Sequence, residues 1–171
     1  AQKRFVREYY DQYVRTLVIP LMIESIPQTP LLKDNSIYLA CILGNSINPM
    51  MRRYSLIEIP NELPRFVVLP SSDKKRKELI LIEDIIRFNL PQLFSAFGFN
   101  QFVGYVVKVT RDAEFDFDVD GHVDLIESLE KGIKGRKKGK ATRFVYDKAI
   151  DKVLLEYLVS RLALKSENLV P

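Results

Sequence analysis

Short apolar segments that favour β-strands alternate irregularly with segments of helical periodicity along this chain. The segments Ile37–Leu43, Tyr54–Ile59 and Arg65–Leu69 are rich in β-branched and aromatic residues and lie between loop residues, which predicts three strands. Phe102–Val109 and Arg143–Tyr146 are two further strand candidates. Because these elements do not follow the regular βα order of a doubly wound sheet, the sequence predicts an α+β fold.

Four segments carry a helical period. In the first, Phe5, Tyr9, Tyr13 and Leu17 stand four residues apart, which places them on one face of a helix that Pro20 ends. The other candidates are a segment opened by Glu83 and Asp84, the segment His122–Ile133, and a segment that Asp147 caps and that runs to about Leu164.

Length and composition are those of a water-soluble domain. The chain has 171 residues, of which 47% are hydrophobic and 28% charged, so we expect one domain, spanning residues 1–171, with a substantial core. No apolar run is long enough to cross a bilayer and the first residues lack a signal-peptide layout, which predicts a cytoplasmic protein without a membrane span. The single cysteine, Cys41, lies in an apolar run and is expected to be buried and inert.

The formal net charge of +4 is too mild to predict a nucleic-acid partner, but its distribution is uneven. A glycine-containing run near the C-terminal third is basic and holds no acid; its charged residues are Lys134, Arg136, Lys137, Lys138, Lys140 and Arg143. Such a loop is suited to a phosphate polymer, whose binding depends on charge. The alternative is an ordinary solvated loop.

A second pattern has the spacing of a calcium loop. Asp116, Asp118 and Asp120 precede Gly121, and Glu127 follows at the position that closes the coordination shell in an EF-hand. An EF-hand also requires a helix before the loop, whereas the residues before Asp116 have the pattern of a strand. The alternative is therefore a solvated acidic face beside a helix N-terminus.

Five segments, taken in order and at their separations, resemble the middle, or head, domain of the long bacterial polyphosphate kinases. They are LKDNSIYLA at Leu32–Ala40, EIPNELPRFVVLP at Glu58–Pro70, LILIEDIIRF at Leu79–Phe88, VKVTRDAEFDFD at Val107–Asp118 and ATRFVYDK at Ala141–Lys148. The resemblance runs over nearly the whole chain. It implies a mixed β-sheet with helices packed against it, related in fold to the small phosphohistidine phosphatases, and residues 1–16 as a helix leading in from a missing N-terminal domain.

The resemblance also implies a function for the parent protein. That protein is a transferase that reversibly moves the γ-phosphate of ATP, bound with Mg²⁺, to inorganic polyphosphate through a phosphohistidine. The family's catalytic and nucleotide-binding residues lie in its other domains. His122 is the only histidine here and lies outside the matching segments, so we expect the fragment to be inactive, with no catalytic, cofactor-binding or metal-binding residue of its own.

The fragment is then a structural module whose partners are the other domains of the parent chain and a second copy of itself. The stripe Phe5, Tyr9, Tyr13 is a candidate surface for the homodimer, although such stripes also pack into cores. A different class of function stays open: a free-standing binding module for Ca²⁺ through Asp116–Glu127 or for polyanions through Lys134–Arg143.

Overall fold

The computed structural model describes residues 1–26, 32–71, 75–111 and 141–171. The chain divides into two compact units. One comprises Ala1–Pro27 and Ile37–Val106, and the other comprises Gln28–Ser36 and Val107–Pro171. The expectation of a single domain is not decided by this division and stays a prediction.

The first unit begins with helix α1, Gln2–Tyr9, which continues as a π-helical turn over Tyr10–Val14. The amide of Arg15 donates to the carbonyl oxygen of Tyr10 at 2.9 Å, five residues earlier, which is the hydrogen bond that defines a π-helix. The helical segment expected before Pro20 is therefore present, and Pro20 itself is the first residue of a strand.

The buried face of this helical segment is not the one that carries the row of aromatic residues. Its buried side chains are Val6, Tyr10 and Val14, each one position after a residue of the row Phe5, Tyr9 and Tyr13. Phe5 and Tyr9 pack against the core only at its border, and Tyr13 is exposed. Adjacent helical positions differ by about 100° around the axis, so a periodicity of four identified the helix but not which line of residues faces inward.

The sheet of the first unit is built from strands β1, β2, β3 and the first part of β6, in the order β1-β3-β2-β6. Their bounds are Pro20–Met22 for β1, Ile37–Gly44 for β2, Arg53–Glu58 for β3 and Gln101–Arg111 for β6. Strand β3 is antiparallel to both β1 and β2. The strands predicted from Ile37 and from Tyr54 are thus confirmed.

Gly104 lies where β6 passes close to the side chain of Leu39 on β2. A Cβ at this position would be 3.1 Å from the Leu39 side-chain atoms, closer than ordinary van der Waals contact. The absence of a side chain at Gly104 therefore lets the sheet and the fully buried Leu39 pack together.

A separate two-stranded ribbon follows, made of β4, Phe66–Leu69, and β5, Glu78–Leu81, in antiparallel register. The strand predicted at Arg65–Leu69 is confirmed with a start one residue later. Three helical pieces come next, α2 at Ile82–Phe88, α3 at Leu90–Leu93 and a 3₁₀ turn at Ser95–Phe97.

The helical segment that Glu83 and Asp84 open is not continuous, because it is interrupted at Asn89. Pro91 has no amide hydrogen to donate to the carbonyl oxygen of Arg87, and its ring crowds that carbonyl, which accounts for the break. The side-chain amide of buried Asn89 donates to the carbonyl oxygen of Ile85 at 2.8 Å. The carbonyl oxygen that the break leaves without its usual helical donor is therefore hydrogen-bonded inside the core.

The second unit holds the last part of β6, strand β7 at Ala141–Tyr146, helix α4 at Lys152–Arg161 and the short strand β8 at Leu169–Val170. Strand β7 is antiparallel to β6 and parallel to β8, so its sheet is mixed. The buried residues of this unit include Val107, Val109, Phe144, Leu154 and Leu158. The predicted α+β class, with a mixed sheet and packed helices, is confirmed. The predicted helix at 122–133 lies outside the described residues.

The cap of helix α4 is Asp151 and not the predicted Asp147. The Asp151 carboxylate accepts a hydrogen bond from the amide of Leu154 at 3.0 Å. Asp147 instead accepts from the amide of Ala149 at 2.9 Å and forms a turn before the helix. Both aspartates have side chains that can cap a helix. Because Asp147 forms a turn instead, the helix begins only after the second aspartate, Asp151.

No helix in the described part of the chain combines the length and the apolar character that crossing a membrane requires.

Candidate functional site

Arg143 is the member of the predicted polyphosphate-binding set that the structure describes. It lies on β7 opposite Thr110 of β6, and its side chain is exposed. The next residue, Phe144, is fully buried, as expected from the alternation of side chains along a strand. Residues 112–140 join the ends of these two strands, so Arg143 stands at the base of the segment that contains the basic run.

A second arginine, Arg111, lies at the same end of the strands and makes hydrogen bonds to other residues of the protein. Its backbone amide donates to Asp34 Oδ1 at 2.8 Å, and its Nε donates to the carbonyl oxygen of Leu32 at 2.9 Å. The strand register shifts between Thr110 and Arg111. Arg111 therefore fixes the segment around Leu32–Asp34 to β6, whereas Arg143 presents its charge to solvent.

The other predicted site residues lie outside the described residues and stay predictions. They are Asp116, Asp118, Asp120, His122 and Glu127 of the acidic segment, and Lys134, Arg136, Lys137, Lys138 and Lys140 of the basic run. In the ranges that the structure does describe, no three His, Cys, Asp or Glu side chains come together in a way that could hold a metal ion.

Cys41 is fully buried on β2, as the sequence predicted. Its thiol lies 3.7 Å from the carbonyl oxygen of Leu39, a distance suited to a weak S–H hydrogen bond. Desolvation by burial raises the pKa of the Cys41 thiol, and the positive charge of Arg87 opposes this only in part. A thiol that is both inaccessible and hard to ionise is a core residue and not a nucleophile.

The aromatic stripe, defined as Phe5, Tyr9 and Tyr13, is a continuous row of rings. The ring centroids of Phe5 and Tyr9 are 5.9 Å apart, and those of Tyr9 and Tyr13 are 5.0 Å apart. Desolvation raises the pKa of Tyr9, with a smaller effect from Tyr13. Tyr13 is 47% exposed, so the stripe begins at the core and ends in solvent.

Glu83 and Asp84 open a predicted helix, where an acidic residue suits the helix dipole. The Glu83 side chain is nevertheless buried, with 2% of it exposed. Glu83 Oε1 accepts from Arg65 Nη2 at 2.8 Å and from Arg65 Nε at 3.2 Å. Among the described residues, no group donates to Oε2. The apolar run that precedes Glu83 was the available signal that this helix starts inside the core.

Comparison with known proteins identifies the fold and the family. The family model "Polyphosphate kinase middle domain" matches residues 1–171. The chain belongs to the polyphosphate kinase middle-domain family.

Two relatives named polyphosphate kinase show how this middle domain relates to longer proteins. The Vibrio parahaemolyticus protein is 35% identical over 176 residues, which cover 100% of this chain and 25% of that protein. The Escherichia coli protein is 35% identical over 179 residues, covering 99% of this chain and 25% of that protein. The polyphosphate kinase middle domain described here thus spans about a quarter of the length of these relatives.

A crystal structure of polyphosphate kinase from Porphyromonas gingivalis has the same fold. It superposes with a TM-score of 0.74 at 24% sequence identity, over 99% of this chain and 23% of that chain. The mixed sheet and its helices are therefore the fold of a polyphosphate kinase segment.

Proposed function

We propose that this chain is the middle domain of a full-length polyphosphate kinase. The parent would transfer the γ-phosphate of ATP reversibly to the end of a polyphosphate chain. The observation that supports this proposal is the match of all 171 residues to the middle-domain model, together with relatives of that name at 35% identity. The cytoplasm, where ATP is available, is the proposed location.

The proposed chemistry runs in two displacements. A histidine nitrogen of the parent attacks the γ-phosphorus, the bond to the β,γ-bridging oxygen breaks and ADP leaves. A terminal oxygen of polyphosphate then attacks the phosphorus of the phosphohistidine, and the histidine is released. In this proposal the nucleophile belongs to another domain, because His122 is the only histidine here and lies outside the segments that carry the family resemblance.

Mg²⁺ bound with ATP would neutralise charge on the transferred phosphate. Within the described residues no group of three His, Cys, Asp or Glu side chains could hold a metal ion, so we assign Mg²⁺ no ligand among them.

The role of the middle domain itself would be structural: to connect the other domains and to contribute a dimer contact through the aromatic stripe. The exposed Tyr13 ring at the end of the row supports such a contact. Contact of the basic run with polyphosphate is a further part of the proposal, supported by the exposed position of Arg143. Ca²⁺ binding through Asp116–Glu127 stays a prediction.

Incubation with γ-labelled ATP and Mg²⁺ tests where the phosphate is held. We expect acid-labile phosphate on the full-length protein and none on the 171-residue chain. The matched control is His122→Ala in the full-length protein, which we expect to retain polyphosphate synthesis. Label on the 171-residue chain that disappears with His122→Ala would contradict the assignment of the nucleophile to another domain.

A further inference from the structure

One face of the strand pair β6–β7 carries two cations. Val109 and Phe144 are register partners across the two strands, and both are buried. Lys108 precedes Val109, and Arg143 precedes Phe144, so the two basic side chains point to the opposite face of the pair. Arg143 is exposed and Lys108 is partly exposed. We call the side defined by Lys108 and Arg143 the cationic face.

The two cations of this face are close to each other and have uncharged cross-strand neighbours. The register places Arg143 opposite Thr110 and Lys108 opposite Val145. Lys108 and Arg143 are therefore diagonal neighbours, with Cα atoms about 7–8 Å apart. Two positive charges at this separation repel each other, whereas an anion that lies over both is attracted by both. The cationic face is thus suited to a ligand with repeated negative charge.

Strand β6 is held in place at the end where the cationic face lies. The amide of Asn35 donates to the carbonyl oxygen of Val109 at 3.1 Å. Arg111 donates to Asp34 Oδ1 through its backbone amide and to the carbonyl oxygen of Leu32 through its Nε. These contacts join the segment before β2 to the end of β6. A surface that is already ordered loses little conformational entropy when a ligand binds, which favours binding.

The proposed function supplies a ligand with this chemistry. Polyphosphate carries negative charge along its whole length, and the binding of such a polymer depends on charge. In the proposed function the active centre belongs to another domain of the parent. A long polyphosphate whose end is in that centre can therefore contact the middle domain at a point away from the reacting phosphorus.

We propose that Lys108 and Arg143 form an accessory binding site that holds long polyphosphate between successive phosphate transfers. This proposal rests on the proposed function, because it requires the parent to extend polyphosphate. Two contacts on one polymer make the return of its end to the active centre intramolecular, at a high effective concentration. A chain end that leaves the centre then returns before the whole polymer escapes. The accessory site would therefore increase the length of the product.

The length of the polyphosphate made by the full-length enzyme tests this role. At equal consumption of ATP, Lys108→Gln with Arg143→Gln should make polyphosphate about threefold shorter or more, because two exposed charge contacts are lost. The control, Lys148→Gln with Lys152→Gln, removes the same charge from two other exposed residues of the second unit and should make polyphosphate of wild-type length. Equal shortening by the control, or wild-type length from the first variant, would overturn the proposal.

The reverse reaction, in which polyphosphate and ADP give ATP, separates an accessory site from the active centre. For Lys108→Gln with Arg143→Gln, the KM for long polyphosphate should rise about threefold to tenfold more than the KM for a short polyphosphate that cannot span both sites. The charge-conserving variant Lys108→Arg with Arg143→Lys should restore the wild-type ratio of the two KM values. An equal rise for both substrates would mean that the two residues act at the active centre or on folding, and it would overturn the accessory site.

Binding of long polyphosphate to the full-length protein without nucleotide shows which proposal has failed if either does. We expect Lys108→Gln with Arg143→Gln to bind about threefold to tenfold more weakly, and the slope of log affinity against log salt to become shallower by about one to two. A wild-type protein that makes no polyphosphate would contradict the proposed function. Unchanged affinity and slope in an active enzyme would instead overturn the accessory site.

Discussion

At the scale of single residues, the Arg65–Glu83 pair shows how the protein places a charge in its core. Glu83 is buried, while the Arg65 side chain is 49% exposed, so one end of the ion pair reaches solvent. A buried carboxylate is costly unless it is paired and hydrogen-bonded. Here Arg65 supplies two hydrogen bonds to one oxygen, and the pair connects β4 to α2.

Removing Arg65 alone should destabilise the protein more than removing both partners. Arg65→Met leaves the Glu83 carboxylate buried without its cation, and we expect the free energy of unfolding to fall by about 1–3 kcal/mol, a range lowered for the exposure of Arg65. The double variant Arg65→Met with Glu83→Leu should recover part of this loss, because no buried charge remains. Urea denaturation measures both.

The matched control is Arg4→Met, which breaks the exposed Arg4–Glu8 pair on α1 and should leave the unfolding midpoint unchanged. If the free energy of unfolding lost by the double variant equals the sum of the losses of Arg65→Met alone and Glu83→Leu alone, the Arg65–Glu83 pair is not energetically coupled.

At the scale of elements, helix α4 shows how a cap sets the start of a helix. Of the two aspartates that precede it, Asp151 accepts from the amide of Leu154, three residues into the element. An unpaired amide at a helix start otherwise needs water or another acceptor. The boundary is therefore fixed by the cap that the chain geometry allows and not by the first aspartate in the sequence.

Asp151→Ala should lower stability, and Asp151→Asn should not. We expect the alanine variant to lose about 1 kcal/mol, or roughly 2–4 °C in Tm, because the hydrogen bond to Leu154 is lost, whereas asparagine is an equally good cap. Thermal unfolding followed by circular dichroism measures the difference. Asp147→Ala should reduce the helical signal less than Asp151→Ala; the reverse order would return the cap to Asp147.

At the scale of the whole molecule, the aromatic stripe is the proposed dimer contact. Sedimentation should show a dimer whose fraction rises with concentration, and Tyr13→Glu should shift it toward monomer, because the exposed ring would leave the interface and a charge would enter it. Tyr13 is a better target than Tyr9, which packs against the core.

Ile19→Glu adds the same charge at a residue that is 80% exposed and outside the stripe, and it should leave the dimer intact. A strict monomer for the wild-type chain at high concentration would mean that the stripe does not associate without the other domains.

The sequence by itself determined five of the strands, β2, β3, β4, β6 and β7, and the α+β class, because β-branched and aromatic runs such as Ile37–Leu43, Tyr54–Ile59 and Arg65–Leu69 favour extended backbone locally. It also indicated the burial of Cys41 through its apolar neighbours. Of the predicted site, the structure places only Arg143 of the basic run, on an exposed strand position. Sequence patterns predict these features because strand formation and the burial of Cys41 depend mainly on residues that are near in the sequence.

Only the tertiary structure decided which face of α1 is buried, that Glu83 lies in the core beside Arg65, and that β8 pairs in parallel with β7. The two-residue strand β8 and the three-residue strand β1 are too short to show a period, and their backbone pairs with distant segments. Each of these features depends on contacts between residues far apart in sequence, where packing overrides local preference.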